Sequence, residues 1–300
     1  MSRRHFLRID DLGADEVRGL LERADQLKSG RATGVGGDSL RGRVLGLLFE
    51  KPSTRTRISF EVGIYQLGGY GMFLAPHDLQ LGRGEPIADT AEVMTRMVDG
   101  VMIRTYAHDR LTRFAEQARV PVINGLTDRF HPCQVLTDLF TWYERRGDIA
   151  GRTVAWVGDG NNMAHSWINV AALLGFELRI ACPDGFDPDP ELVAAAGDRV
   201  RVMRDPGEAV AGADIVTTDV WASMGQEGET DSRSAAFGTY RVDSDLMAQA
   251  DRDALFMHCL PAHRGEEVTE AVLDGPASVV WEEAENRLHA QKALMEHLLG

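Results

Sequence analysis

Hydrophobic and polar positions along the chain follow two alternating patterns, one typical of buried strands and one typical of amphipathic helices. Short apolar runs such as Val44–Phe49 are followed by segments in which apolar residues recur every three or four positions. Glycine-rich and polar stretches separate the two kinds of segment. This alternation predicts an α/β protein with parallel sheets.

The predicted strands and helices form two successive series. Strands are predicted over 44–49, 70–74, 101–103, 120–123, 153–157, 177–182, 199–203, 214–218, 254–258 and 278–281. Helices are predicted over 11–28, from the loop at 53–57 to about 67, from 86 to 98, over 109–118, from 132 to about 146, over 163–174 and over about 282–299. A break near 147–151 separates the series, so we expect two doubly wound domains.

Composition narrows the class of protein. The 300 residues are 44% hydrophobic, which suffices for two domains with buried cores. No apolar run approaches the roughly 20 residues that span a bilayer, so we expect no membrane partner. Three widely spaced cysteines, Cys133, Cys182 and Cys259, argue against disulfides and favour a reducing cytoplasm. The net charge of −14 argues against nucleic-acid binding.

The charge is divided unevenly between the halves. Residues 1–150 contain 21 basic and 20 acidic residues, a net charge of +1, whereas residues 151–300 contain 11 and 26, a net charge of −15. The first half is therefore suited to an anion and the second to a cationic ligand. An acidic surface that only aids solubility is the alternative.

Ser53-Thr54-Arg55-Thr56-Arg57 joins the first strand to its helix. A helix N-terminus presents N–H groups without intrahelical acceptors and a partial positive charge, so it attracts anions. Hydroxyl groups and guanidinium groups add donors that suit phosphate. The alternative is an ordinary helix cap followed by two solvated arginines.

Further polar clusters follow other strands, where parallel sheets place ligands. They include Arg104, the pair His131 and Gln134, the turn Gly158–Asn162, and Asp219 with Ser223. The turn lacks the third glycine of a dinucleotide motif because Met163 occupies that position, which argues against a nicotinamide cofactor. Cys259 follows His258, but neighbouring residues of a strand face opposite sides, so the pair is a weak candidate for thiol catalysis.

Five segments of the chain match a known set of motifs in order. They are Ser-Thr-Arg-Thr-Arg (53–57), His-Pro-Cys-Gln (131–134), Asp-Val-Trp-Ala-Ser-Met-Gly (219–225), His-Cys-Leu-Pro-Ala-His-Arg-Gly (258–265) and Glu-Asn-Arg-Leu-His (285–289). With these segments the chain resembles the ornithine carbamoyltransferases, within the aspartate/ornithine carbamoyltransferase family. The resemblance covers essentially the whole chain. It implies a carbamoyl-phosphate domain (1–146 plus 284–300), an ornithine domain (147–283) and a terminal helix that packs on the first.

The resemblance also implies a role for each matching residue. The carbamoyl-phosphate set is Ser53, Thr54, Arg55, Thr56, Gln80, Arg104, His131, Gln134, Cys259, Leu260 and Arg287. The ornithine set is Asn162, Asp219, Ser223 and Met224. Arg104, His131 and Cys259 would be catalytic, and Gln80 would come from a neighbouring subunit of a homotrimer. No metal or cofactor is expected.

The implied reaction transfers the carbamoyl group to the side-chain amine of L-ornithine, giving L-citrulline and phosphate. Either Cys259 or the phosphate could accept the amine proton. A carbamoyltransferase for another amine, such as putrescine, is one alternative, and a non-catalytic binder of anions or amino acids is a second. The sequence leaves open whether the pathway is biosynthetic or catabolic.

Overall fold

The computed structural model describes residues 4–30, 37–75, 84–222, 228 and 230–300. The chain divides into two compact units. The first unit comprises Met1–Phe140 with Glu285–Gly300, and the second comprises Thr141–Ala284. Each unit contains one sheet in which every pair of neighbouring strands is parallel. The predicted fold class is confirmed.

The sheet of the first unit has the strand order β2-β1-β3-β4. Its strands are β1 (Val44–Phe49), β2 (Tyr70–Leu74), β3 (Gly100–Arg104) and β4 (Val122–Leu126), and its helices are α1 (Ala14–Ser29), α2 (Thr54–Gln66), α3 (Ile87–Met94) and α4 (His108–Gln117). The chain moves outward from β1 to β2 and then returns to the other side of β1. The sheet therefore has its switch point between β1 and β3, where ligands bind in open parallel sheets.

The sheet of the second unit has the order β7-β6-β5-β8-β9. Its strands are β5 (Thr153–Val157), β6 (Glu177–Ala181), β7 (Val200–Met203), β8 (Ile215–Thr218) and β9 (Leu255–His258). Its helices are α6 (Asn162–Leu174), α7 (Pro190–Ala196), α8 (Pro206–Val210), α9 (Thr230–Phe237), α10 (Ser244–Met247) and α11 (Glu270–Leu273). The switch point lies between β5 and β8, so the loops after these strands form the expected ligand edge.

The boundaries between the two units fall within two helices. They are α5 (Pro132–Arg146) and the terminal helix α12 (Val280–Leu299). Within the first unit α12 packs closely on α2, since a Cβ atom at Gly63 would lie 2.8 Å from the Met295 side chain. Lys292 Nζ also donates to Gln66 Oε1 at 3.1 Å. The terminal helix therefore packs back on the first unit, as expected.

The predicted strand at 278–281 is wrong. Ser278 forms only an isolated bridge with Phe256, and helix α12 already begins at Val280. A short apolar run does not by itself distinguish a strand from the first turn of a buried helix. Glu282 and Glu283 in that first turn favour the helix, because acidic residues interact well with a helix N-terminus. Among the described residues, no helix combines the length and the apolar composition that crossing a membrane needs.

Candidate active site

The first turn of α2 follows the carboxyl end of β1 in the first unit. The Ser53 hydroxyl accepts a hydrogen bond from the Thr56 N–H at 3.2 Å and caps the helix. Thr54 is exposed and Arg55 is half-buried beside it. Because helix N-termini and guanidinium groups both favour negative charge, this turn is suited to a phosphate group.

The two arginines of the motif have different environments. The Arg57 guanidinium carbon lies 3.6 Å from the centre of the Phe73 ring, and its Nε donates to Glu61 at 3.1 Å. Arg57 is therefore engaged with β2 and with its own helix, away from the cap. Arg55 instead contributes to the electrostatic environment of His131. The structure thus gives Arg57 a packing role, and the set implied by the resemblance likewise includes Arg55 and not Arg57.

Three guanidinium groups act on His131, which immediately precedes α5 and is 5% exposed. Burial lowers the pKa of His131 well below its ordinary value of 6.5, and the charges of Arg287, Arg104 and Arg55 lower it further. The imidazole is therefore neutral at neutral pH. A neutral imidazole still has one N–H group that can donate to a developing oxyanion.

Arg104 ends β3 at the switch point and is 7% exposed. The pairing of β3 with β4 is irregular between Ile103 and Arg104. Such irregularities redirect side chains at functional sites. On the other side, the Glu50 N–H donates to the Arg104 carbonyl at 2.8 Å, so the backbone at the strand end stays fixed.

Arg287 connects three elements of the first unit and is 2% exposed. Its Nη1 donates to the Gln134 side-chain oxygen on α5, and its Nη2 donates to Thr56 Oγ1 on α2 at 2.9 Å. The structure therefore brings together Thr56, Gln134 and Arg287, which were predicted from three distant motifs. These hydrogen bonds hold the cation in place before any ligand arrives.

In the second unit Asp219 lies at the carboxyl end of β8 and is 8% exposed. Its Oδ1 accepts from Cys259 Sγ at 3.2 Å and from the Val220 N–H at 2.8 Å. Its Oδ2 accepts from Asn161 Nδ2 at 3.1 Å. A buried carboxylate held in this way is suited to an ammonium group.

Asn161 belongs to the polar turn Gly158–Asn162 but not to the ornithine set that the resemblance implies. It caps α6 by accepting from the N–H groups of Met163 and Ala164, at 2.9 and 3.2 Å, and it also reaches Asp219. An asparagine before an apolar run is a helix-start signal that could have identified it. Asn162 is the half-buried first residue of α6, and its predicted role stays a prediction. Gln80, Ser223 and Met224 lie outside the described residues.

The His258 side chain supports the following loop through both of its ring nitrogens. Its Nδ1 accepts from the Leu260 N–H at 2.9 Å, and its Nε2 lies 3.1 Å from Glu267 Oε1. Both side chains are fully buried. Leu260 has a φ of 56°, a conformation that non-glycine residues adopt rarely and mostly at constrained sites. Glu267 was not recognisable from the sequence because it lies nine residues away in a polar stretch.

Two clusters among the described residues have the geometry of metal ligands. They are Asp219 with His258 and Cys259, and His263 with Glu266 and Glu267. In the first cluster both His258 ring nitrogens already have protein partners, and the Cys259 thiol donates to Asp219. Hydrogen bonds between protein groups therefore account for the cluster of Asp219, His258 and Cys259. The expectation that no metal is needed stays a prediction.

Taken together, these features define a class. The protein is a two-unit parallel α/β protein with a cationic site at one switch point and a carboxylate site at the other.

Comparison with known proteins identifies the family. Residues 4–144 match the aspartate/ornithine carbamoyltransferase carbamoyl-P binding domain, and residues 150–298 match the Asp/Orn binding domain of the same family. The chain belongs to the aspartate/ornithine carbamoyltransferase family.

Individual relatives match this chain over nearly their whole length. The chain is 60% identical to the anabolic ornithine carbamoyltransferase of Pseudomonas aeruginosa, covering 100% of this chain and 98% of that one. It is 61% identical to the ornithine carbamoyltransferase of Methylococcus capsulatus, covering 100% and 99%. The solved ornithine carbamoyltransferase of Pyrococcus furiosus superposes with a TM-score of 0.94 at 48% identity, covering 99% of this chain and 97% of that chain.

Proposed function

We propose that the protein transfers the carbamoyl group of carbamoyl phosphate to the side-chain amine of L-ornithine, giving L-citrulline and phosphate. The supporting observation is the group of three guanidinium charges around a neutral His131, beside the N-terminus of α2. Full-length relatives at about 60% identity that are named ornithine carbamoyltransferases support the same reaction.

In the proposed mechanism the first unit binds carbamoyl phosphate. Ser53, Thr54, Arg55 and Thr56 hold the phosphate, with Gln80 from a neighbouring subunit. Arg104 and His131 donate to the carbamoyl oxygen as the tetrahedral oxyanion forms. The carbamoyl nitrogen is oriented by Gln134 and, as the resemblance implies, by the backbone of Cys259 and Leu260. Arg287 stabilises the departing phosphate and keeps Gln134 in place.

The second unit binds L-ornithine in this proposal, through Asn162, Asp219, Ser223 and Met224. An alkyl ammonium has a pKa near 10.4, so only about one molecule in a thousand is neutral at pH 7.4. The site must therefore remove a proton before the amine attacks. Because Cys259 donates to Asp219, these two groups form a short proton route from the amine. We also propose that the functional domains are 1–146 plus 284–300 and 147–283.

We propose a biosynthetic role in the cytoplasm. The relative from Pseudomonas aeruginosa is named anabolic, and it matches nearly end to end. All three cysteines are thiols, as expected in a reducing compartment.

We propose that the protein assembles as a homotrimer through the face of α2 and the edge strand β2. Ile58, Val62 and Tyr65 form an exposed apolar stripe on α2, with Tyr65 78% exposed. Tyr70 on β2 is also exposed at 61%. Exposed apolar patches of this kind are typical of subunit contacts. Tyr65→Glu should lower the mass measured by light scattering, whereas Met97→Glu, at another exposed apolar position, should not.

The decisive experiment is a rate assay of the purified protein with carbamoyl phosphate and a panel of amines. We expect citrulline formation, with L-ornithine giving the highest kcat/KM. Faster turnover of putrescine would contradict the assignment. Binding of carbamoyl phosphate without any product would instead support a non-catalytic binder.

A further inference from the structure

Asp138 is a buried carboxylate to which the proposed reaction gives no role. It lies on α5 one turn after Gln134, and both residues are 1% exposed. Gln134 Nε2 donates to Asp138 Oδ1 at 2.8 Å. On its other side, the Gln134 oxygen accepts from Arg287. The amide thus lies between an anion and a cation, both buried.

These two partners determine which way the amide of Gln134 points. An ionised carboxylate only accepts hydrogen bonds, and a guanidinium group only donates them. A rotation of the amide by 180° would place its NH₂ group against Arg287 and its oxygen against Asp138. Both hydrogen bonds would be lost and two repulsive contacts would replace them. The amide oxygen is therefore fixed on the side of Arg287.

The side of Arg287 is also the side of the anion-binding turn. The same guanidinium group donates to Thr56, which lies in the first turn of α2. A carbonyl oxygen has two acceptor positions, so it can accept from Arg287 and from a ligand together. The orientation thus offers an acceptor, and not a donor, to a group bound at this turn.

We propose that Asp138 is a positioning residue that makes the site selective for a carbamoyl group over an acyl group of the same shape. The proposal rests on the function proposed above. The NH₂ group of carbamoyl phosphate can donate to the fixed oxygen of Gln134. Acetyl phosphate has a methyl group in that place and cannot donate, so it leaves the oxygen without this hydrogen bond.

A purely structural role for Asp138 has to be distinguished from a role in orienting the Gln134 amide. Glutamine and aspartate four residues apart on a helix also stabilise the helix itself. Loss of that contact would weaken every ligand of the first unit alike. Loss of amide orientation would instead weaken only ligands that donate to Gln134 through a carbamoyl NH₂ group, which inorganic phosphate lacks.

The test compares three ligands in Asp138→Asn, which keeps the size of the side chain but allows the amide of Gln134 to rotate. We expect the KM for carbamoyl phosphate to rise about tenfold. The inhibition constants of inorganic phosphate and of acetyl phosphate should change less than about twofold. Selectivity between carbamoyl and acetyl phosphate would then fall about tenfold. Glu144→Gln, an exposed acid-to-amide change on the same helix, is the matched control and should retain wild-type selectivity.

A second variant keeps the proposal testable if Asp138→Asn does not fold. Gln134→Met removes the acceptor and should lose the same selectivity. In the Gln134→Met variant, a further Asp138→Asn substitution should cause no additional loss of selectivity, because the two residues act through one contact. Equal weakening of all three ligands, or unchanged selectivity in folded Asp138→Asn, would overturn the proposal. A wild-type protein that does not use carbamoyl phosphate would overturn the proposed function itself.

Discussion

The two units use the same position in a parallel sheet to build sites of opposite charge. In the first unit, Arg104 and Arg287 are buried cations near a neutral histidine at the β1/β3 switch point. In the second unit, the buried carboxylate of Asp219 lies at the β5/β8 switch point. The comparison shows that the sheet topology determines where a ligand binds. The side chains at the strand ends determine whether the site suits an anion or a cation.

The charged groups of the two sites are held by separate sets of residues, one set in each unit. Arg287 is fixed by side chains from α2 and α5, so the first site depends on contacts between residues far apart in sequence. Asp219 is fixed by Asn161, by the adjacent N–H of Val220 and by the Cys259 thiol. Substitutions should therefore affect the use of one substrate and leave binding of the other nearly unchanged.

The largest effect is expected from Arg55→Ala. Loss of a guanidinium group that stabilises phosphate should reduce kcat/KM for carbamoyl phosphate about 1000-fold. The matched control is Arg57→Ala in the same motif, because Arg57 packs over Phe73. Steady-state kinetics of both variants would check this. Near-wild-type affinity for carbamoyl phosphate in Arg55→Ala would contradict the role of the first site.

Asp219→Asn should have the next largest effect and should act on the other substrate. Removing the charge that faces an ammonium group should raise the KM for L-ornithine about 100-fold. The inhibition constant of inorganic phosphate should stay unchanged. Asp184→Asn removes a carboxylate of the same unit that is 92% exposed, and it serves as the control. A change in phosphate inhibition alone would show that the assignment of the second site is wrong.

Cys259→Ser should have a smaller effect that is specific to the proton route. A hydroxyl group can still donate to Asp219, but it is a far weaker acid than a thiol. We expect kcat/KM for L-ornithine to fall about tenfold and its pH profile to shift. The profile would be measured between pH 6 and 10. An unaltered profile would falsify the relay role of Cys259.

The smallest expected effect concerns folding of the first unit at acid pH. The unfolded chain binds a proton at His131 below about pH 6.5, whereas the folded chain keeps this histidine neutral. The free energy of unfolding should therefore decrease as the pH falls below 6.5, with a slope that approaches about 1.4 kcal/mol per pH unit for one proton once the pH is well below 6.5. Urea titrations at pH 6.5, 6.0 and 5.5 should show a shallower decrease in His131→Asn. His263→Asn, at a histidine that is 51% exposed, should behave like the wild type.

Much of the fold could be predicted because hydrophobic periodicity reports local structure directly. The strand predicted at 44–49 has the bounds that the structure gives. The prediction of a strand at 278–281 was wrong. Only contact with Phe256 decides whether those apolar residues pair with β9 or begin a helix. Motifs also pointed to Arg55, His131 and Asp219 as candidate site residues, and their roles stay predictions. The motifs did not identify Asn161 or Glu267 as supporting groups, since those roles depend on partners elsewhere in the fold.

The sequence by itself determined the alternation of strands and helices, the opposite charge of the two halves and the residue types available for each site. These properties are local, or add up along the chain. Only the tertiary structure decided that Arg57 packs on Phe73, and that Gln134 presents its oxygen to Arg287. The orientation of a side chain depends on neighbours that folding brings from distant parts of the chain.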